Sequence, residues 1–326
     1  MSNPTRTITW DNLNSSTMGE FDRTLKDGIF KKHLLLQKLD ENKKTYAGGL
    51  YIAEPVMKAR GTGGSYTGMD VLTPQDKEIV TTAVFEPAHY EADITVSYTD
   101  DLANRGPSQL FDLLETKYDN AKKTMEYYLT AALFGDGVKA TYGNAPIVGL
   151  KAAVAIDPTS DPASGAYGGI TRDATEGTDF WKNQIKDESV GALAGLTMLK
   201  LQNLWGLCAD GNEHPDIIVT TQSVYDKVWS LADARQQLGN EEAAKMGYQS
   251  IDFNGVPLIV DKNCPAGYLY MLNTDYIYLK VHQDDDMAAT PFLQGTTQLV
   301  KVKYVTWTGQ LVCGNPRYQG VMFGLS

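Results

Sequence analysis

The stretch from Tyr90 to Gly137 reads YEADITVSYTDDLANRGPSQLFDLLETKYDNAKKTMEYYLTAALFGDG. Ile94, Val96 and Tyr98 alternate with polar residues, the period of a two-faced strand. An acidic turn follows, and Asn104-Arg105-Gly106-Pro107 punctuates the chain. Pro107 suits a first helical turn, where the N–H it lacks would have no partner. Beyond it, Leu110, Leu114, Tyr118, Ala121, Met125, Tyr128 and Ala132 recur at spacings of three and four, which predicts one apolar helical stripe. Leu113, Leu129 and Leu133 widen that stripe. Asp112 and Glu115 near the start and Lys122 and Lys123 later complement the helix dipole. Asp119 is placed to pair with Lys122 or Lys123, and Gly135 is expected as the C′ glycine. From Ser108 to Phe134 such a helix would span about 40 Å, against a mean helix of about 11–12 residues. A long spine helix fed by a strand describes an architecture more than a catalyst, although an ordinary core helix of a large domain fits the same pattern.

Composition narrows the classes. The 326 residues are 42% hydrophobic, enough for a sizeable core divided between two domains. No apolar run is long enough for a transmembrane helix, and the N-terminus carries no secretory pattern. Cys208, Cys264 and Cys313 are far apart with no CxxC spacing, which predicts buried free thiols in a reducing compartment. The net charge is −11. Residues 1–60 carry ten Lys/Arg and seven Asp/Glu, or +3, and the remainder 19 against 33, or −14. So acidic a body argues against tight binding to a nucleic-acid backbone, which needs clustered cations.

Outward from the helix, residues 1–45 look like an arm. Leu34, Leu35, Leu36 and Leu39 with Lys31, Lys32 and Lys38 predict a short amphipathic helix that must pack on its own body or on a neighbour. Residues 46–89 carry glycines at 48, 49, 61, 63, 64 and 68. With the strand-like pieces Tyr51 to Ala53, Ile79 to Phe85 and Ile94 to Tyr98, they predict an extended β-hairpin projecting from the body, against a flexible surface loop as the competing reading. Residues 140–290 predict an α/β unit. It has a helix capped by Thr197 and running through Ala209, and a buried strand over 216–220. A second helix runs over 223–234 with Val224, Val228 and Leu231 in register. A hairpin turns at Asn254-Gly255, and strands follow over 268–272 and 276–281. The C-terminal part returns to strand pattern over 299–307, with Thr308-Gly309-Gln310 expected to turn the chain, Leu311 to Cys313 running back, and a last strand over 318–323.

No catalytic constellation emerges. Gly61-Thr62-Gly63-Gly64-Ser65 lacks the Gly-Lys-Ser/Thr of a P-loop, and Ser65 is not in a G-x-S-x-G elbow. There is no H-E-x-x-H. His33, His89, His214 and His282 are scattered, and Asp284-Asp285-Asp286 reads as a solvated acidic loop rather than a cation site. No cofactor or metal is expected.

The ordered set of segments nonetheless resembles a known family. It comprises the glycine-rich stretch into Phe85-Glu86-Pro87-Ala88-His89-Tyr90, then Thr99 to Gly106 into the long helix, and Leu133-Phe134-Gly135-Asp136-Gly137. Val148 to Ala152, Tyr167-Gly168-Gly169-Ile170-Thr171-Arg172 and Phe180-Trp181-Lys182-Asn183 complete it. From about residue 45 onward the chain resembles major capsid proteins of tailed double-stranded-DNA bacteriophages. The resemblance implies an α+β, HK97-type fold with four parts. These are an N-terminal arm (1–45), an extended loop lying over a neighbouring subunit (46–98), a peripheral domain with the spine helix (99–139 and 291–326) and an axial α/β domain (140–290). It implies a non-enzymatic shell protein of hexamers and pentamers that encloses the genome without sequence-specific contacts, located in the virion after assembly in the host cytoplasm. Portal and decoration proteins would be partners, with no membrane. The arm is too short for a fused scaffolding segment, so a separate scaffolding protein is expected. Loop hinges fall at Gly48, Gly49, Gly61, Gly63 and Gly64. Some members carry a lysine–asparagine cross-link; Lys58, Lys77 and Asn315 are the residues available here, and no such link is expected. An encapsulin-type compartment shell shares the implied fold, and an α/β enzyme centred on 140–290 would need a polar pocket for which no residues stand out.

Overall fold

The computed structural model describes residues 33–71, 76–99, 113–138, 146–160, 166–172, 179–188, 195–231, 251–294 and 300–325. They form two compact units. Within the described residues the first takes 90–128 and 284–307, and the second takes 33–89, 129–283 and 308–325.

The second unit is built on a mixed sheet. Its strands are β7 (Gln184–Asp187), β8 (Ile217–Thr220), β9 (Ile251–Phe253), β10 (Val256–Val260), β11 (Leu269–Leu272) and β16 (Gly320–Phe323), in the order β7-β16-β11-β8-β10-β9. β8 runs parallel to β10 and antiparallel to β11, and all four of its residues are buried, as expected of a strand covered on both faces. Helix α4 (Met198–Cys208) buries Leu201, Leu204 and Cys208, and the Thr197 side chain accepts from the Lys200 amide at its start, the local bond that a threonine N-cap supplies. Helix α5 (Gln222–Leu231) buries Val224 and Val228. Leu231, expected on the same face, is 40% exposed. Asn254 and Gly255 take φ of 52° and 80° and pair Phe253 with Val256, the two-residue turn that Asn-Gly favours.

Two expectations about the C-terminal part are corrected. Residues 308–310 do not turn; β15 (Val300–Cys313) is one unbroken strand. Gly309 and Gln310 pair with Val281 and Lys280 of β12 (Ile277–His282). The Gln310 side chain serves neighbouring loops instead. Gln310 accepts from the Val148 amide at 2.8 Å and donates to Glu86 O at 2.8 Å. The expected grouping of 291–326 with the spine helix also fails at its end, because β16 lies between β7 and β11 in the α/β sheet.

The arm's short helix is α1 (Leu34–Glu41), with Leu35 and Leu39 fully buried. It packs within its own unit. His33 lies 3.6 Å from Asp261, and Asn42 donates to Thr274 Oγ1 at 2.7 Å. β1 (Lys44–Tyr46) then joins β12 in parallel. The remainder of the arm lies outside the described residues.

In the first unit, β15 pairs antiparallel with β13 (Ala288–Ala289) and β14 (Leu293–Gln294), and Thr306 bonds Asp285. The spine helix is α2 (Leu113–Leu133), of 21 described residues, which runs from the first unit into the second at Leu129; Leu110 and the expected start at Ser108 lie outside the described residues, as does the Leu114 side chain. Along α2, Ala121, Met125, Leu129 and Leu133 are buried, a ladder at spacing four. Tyr118 is half-buried and rings with Lys122 and Lys303. Tyr128, expected in the packed stripe, is 52% exposed. Gly135 does not take the left-handed conformation expected of it. Its N–H closes the helix on Ala132 O at 2.9 Å, and Gly137 takes φ 75°. Among the described residues no helix is long and apolar enough to cross a membrane.

Candidate functional site

Among the described residues, one hairpin leaves a whole face exposed. β2 (Ile52–Met57) and β3 (Val80–Phe85) pair antiparallel from Ile52↔Phe85 to Met57↔Val80. The pleat sorts their side chains. Ile52, Val56, Ala83 and Phe85 are buried. The outward face carries Ala53, Pro55 and Met57 opposite Val84, Thr82 and Val80, all exposed and none charged. Beyond it Tyr66, Met69 and Val71 stand in solvent, the last two 99% and 88% exposed. A two-stranded hairpin is marginal alone, and this outward face is left exposed without a charge. Residues 94–97, expected in the projection, belong instead to β4 (Ala88–Ser97), which pairs with β15.

The hairpin's root is fastened. Glu54 faces inward between Ile52 and Val56. It accepts from Tyr278 Oη at 2.7 Å and Lys280 Nζ at 2.8 Å, and Lys44 Nζ sits 3.6 Å over the Tyr278 ring. Burial opposes the Glu54 charge, but the bonds from Lys280 and Tyr278 and the charges of Lys280 and Lys44 outweigh it and hold the carboxyl below its ordinary 4.5. The same burial, with Glu54 nearby, raises the Tyr278 phenol. On the other strand, the Val84 amide donates to Gly168 O at 2.8 Å, and Phe85 meets Tyr167 edge to face at 5.1 Å. Gly168, at φ 59°, has no room for a Cβ, which would lie 2.8 Å from the Phe85 ring. The Glu54 network carried no motif, but a lone acid on the inward face of an apolar strand was the available signal.

The glycines expected as hinges differ among themselves. Gly48 and Gly49 take φ of 145° and 123°, a region that side chains resist. Gly61, Gly63 and Gly64 take no such angle, and a Cβ at each would meet open space. Lys58 is paired with Glu78 at 2.5 Å, and its amide donates to Ile79 O. Lys77 is exposed. Asn315 caps the 3-10 turn Pro316–Tyr318 through the Arg317 amide.

The remaining candidates are taken up in structure. His89 bonds Thr308 at 2.8 Å, His214 stacks on Trp205, and His282 meets the Tyr46 ring. Among the described residues no group of three His, Cys, Asp or Glu could hold a metal. Cys208, Cys264 and Cys313 are buried free thiols, which burial raises to about 12.

No protein-family model and no curated protein matches the sequence. Solved structures do. The cyanophage A-1(L) capsid is similar over 100% of this chain and 99% of its own, at 17% identity and a TM-score of 0.74. The phage G major capsid protein, solved with its decoration protein, is similar over the whole of both chains at 10% identity and 0.52. The SrpI encapsulin of Synechococcus elongatus covers 100% of this chain and 97% of its own at 9% identity and 0.60. The chain therefore has the HK97-type α+β fold.

Proposed function

We propose that the protein is the major capsid protein of a tailed double-stranded-DNA bacteriophage, which assembles as hexamers and pentamers into the head that encloses the genome. The observation that carries this is the likeness to the cyanophage capsid over essentially the full length of both chains. The role is structural rather than enzymatic. The β2–β3 hairpin is the extended loop that lies over a neighbouring copy, covering the uncharged outward face. The unit with the spine helix is the peripheral domain, and the α/β unit is the axial one. Partners are further copies of the chain, a separate scaffolding protein, a portal protein and decoration proteins. The acidic body encloses DNA without reading its sequence. The protein resides in the virion and assembles in the host bacterial cytoplasm. The encapsulin likeness supports a second reading, a compartment shell loaded with protein cargo.

Electron microscopy of the purified protein, alone and from virions, tests both. Icosahedral heads or hexamer and pentamer rings with DNA as content are expected. Uniform small shells filled with protein favour the compartment. A monomer from virions and under all assembly conditions overturns both.

A further inference from the structure

The hairpin has a charged side-chain attachment that its own strand pairing does not need. Six cross-strand pairs hold β2 to β3, and Ile52, Val56, Ala83 and Phe85 bury their side chains. Within that inward face Glu54 alone is charged. It reaches not to β3 but to β12, where Lys280 and Tyr278 divide its two carboxylate oxygens. The third group turned toward it is Lys44 of β1, stacked on the Tyr278 ring; opposite it on β3 is Ala83. Between β1 and β2 lie Gly48 and Gly49, at backbone angles that only glycine takes readily. On the other strand Glu86 and Pro87 separate β3 from β4, and Gln310 fixes Glu86 O. The hairpin thus leaves the body between two narrow connections, with a charged fastening beside them.

We infer that Glu54 is the positioning residue of the hairpin: its carboxylate, held by Lys280 and Tyr278, sets the angle at which β2–β3 leaves the body, and loss of that charge frees the hairpin to pivot at Gly48–Gly49. The inference rests on the proposed shell function only for its use, since a subunit placed in pentamers and hexamers needs its overlying loop at more than one angle. Charge-assisted bonds of this kind are the strong ones, yet Glu54 and Lys280 keep contact with solvent at 20% and 18% side-chain exposure, so the fastening can open without unfolding the core. The linkage has a definite sign. A carboxyl held below its ordinary value stabilises the fastened state above that value, and the stabilisation is lost as the pH falls below about 4.5 through the lowered folded value.

The amide of Val84 reports the hinge, because it is bonded to Gly168 O of the body and not to β2. Its hydrogen-exchange protection, corrected for intrinsic rates, is to be measured in the full unassembled chain. Glu54→Gln and Lys280→Met are expected to lower protection at Val84 by about tenfold, with β8 and β11 unchanged. Lys280→Arg, which keeps the charge, should stay near wild type. In the wild type, protection at Val84 should fall toward the Glu54→Gln level as the pH drops from 5 toward 3 (roughly the carboxylate range), while Glu54→Gln shows no further fall. Unchanged protection in both variants, or equal acid sensitivity with and without Glu54, overturns the inference. Imaging the same samples keeps the two ideas apart. Normal shells with unchanged Val84 exchange refute the fastening alone, and a lowered protection in a protein that never forms shells refutes the shell reading alone.

Discussion

At Gly320 the chain has no room for a side chain. A Cβ there would lie 2.5 Å from Cys208 Sγ and 3.1 Å from Leu204 Cδ1, so α4 reaches the sheet only because β16 carries no side chain at that point. Gly320→Ala should cost about 1–3 kcal/mol, the usual penalty of overpacking. Cys208→Ala removes the nearer obstacle, and the double variant should recover part of the loss, with a coupling of about 0.5–3 kcal/mol. Urea unfolding of the four proteins measures it, and strictly additive costs would show that the two residues do not touch. Gly149 shows the same need against backbone: a Cβ would lie 2.6 Å from Ala132 O and closer still to Leu133 O, beside the end of α2. Sequence marked both residues only as glycines, because the demand comes from what a distant element brings near.

At the scale of elements, the period of the side chains was a good guide to type and a poor one to partner. Thr197, Asn254 and Gly255 act through neighbours in sequence, and their cap and turn were readable for that reason. The spacing of Ala121, Met125, Leu129 and Leu133 fixed a buried helix face, but Tyr128 shared the same periodicity and lies in solvent. In β2–β3 alternation decided which residues face inward, and the outward face is left uncharged. Val84→Asp puts a charge at the centre of that face while keeping the amide bonded to Gly168. The unassembled protein should keep its stability to within about 0.5 kcal/mol, as surface changes do, while particle yield by sedimentation collapses, because a buried unpaired carboxylate opposes docking. Normal particles from this variant would remove the hairpin face from the assembly contacts.

For the whole molecule, the proposed shell would place one sequence in non-identical positions. Sequence offered two glycine groups as pivots, and geometry separates them. Gly48 and Gly49 use backbone angles that alanine resists, whereas Gly61, Gly63 and Gly64 do not. Gly63→Ala with Gly64→Ala should fold normally, with a gain of up to about 1 kcal/mol from the unfolded state, and give normal particles. Gly48→Ala with Gly49→Ala should strain the root by roughly 1–3 kcal/mol and give misshapen or incomplete particles by electron microscopy. The reverse pattern would move the hinge to the loop tip.

The amino-acid sequence by itself determined the local units: a long helix from its apolar spacing, an Asn-Gly hairpin, a threonine cap, an apolar central strand and an extended glycine-bearing loop. It also determined their order, on which the resemblance to phage capsid proteins rests. Each of these depends on interactions within a few residues, or on the simple partition of apolar side chains from water. Only the tertiary structure decided that residues 308–310 run straight, that β16 joins the α/β sheet, and that Glu54 meets Lys280 and Tyr278 more than two hundred residues away. Those outcomes are set by pairing across long stretches of chain, where Gln310 or Glu54 has many possible partners and only the packed fold selects one.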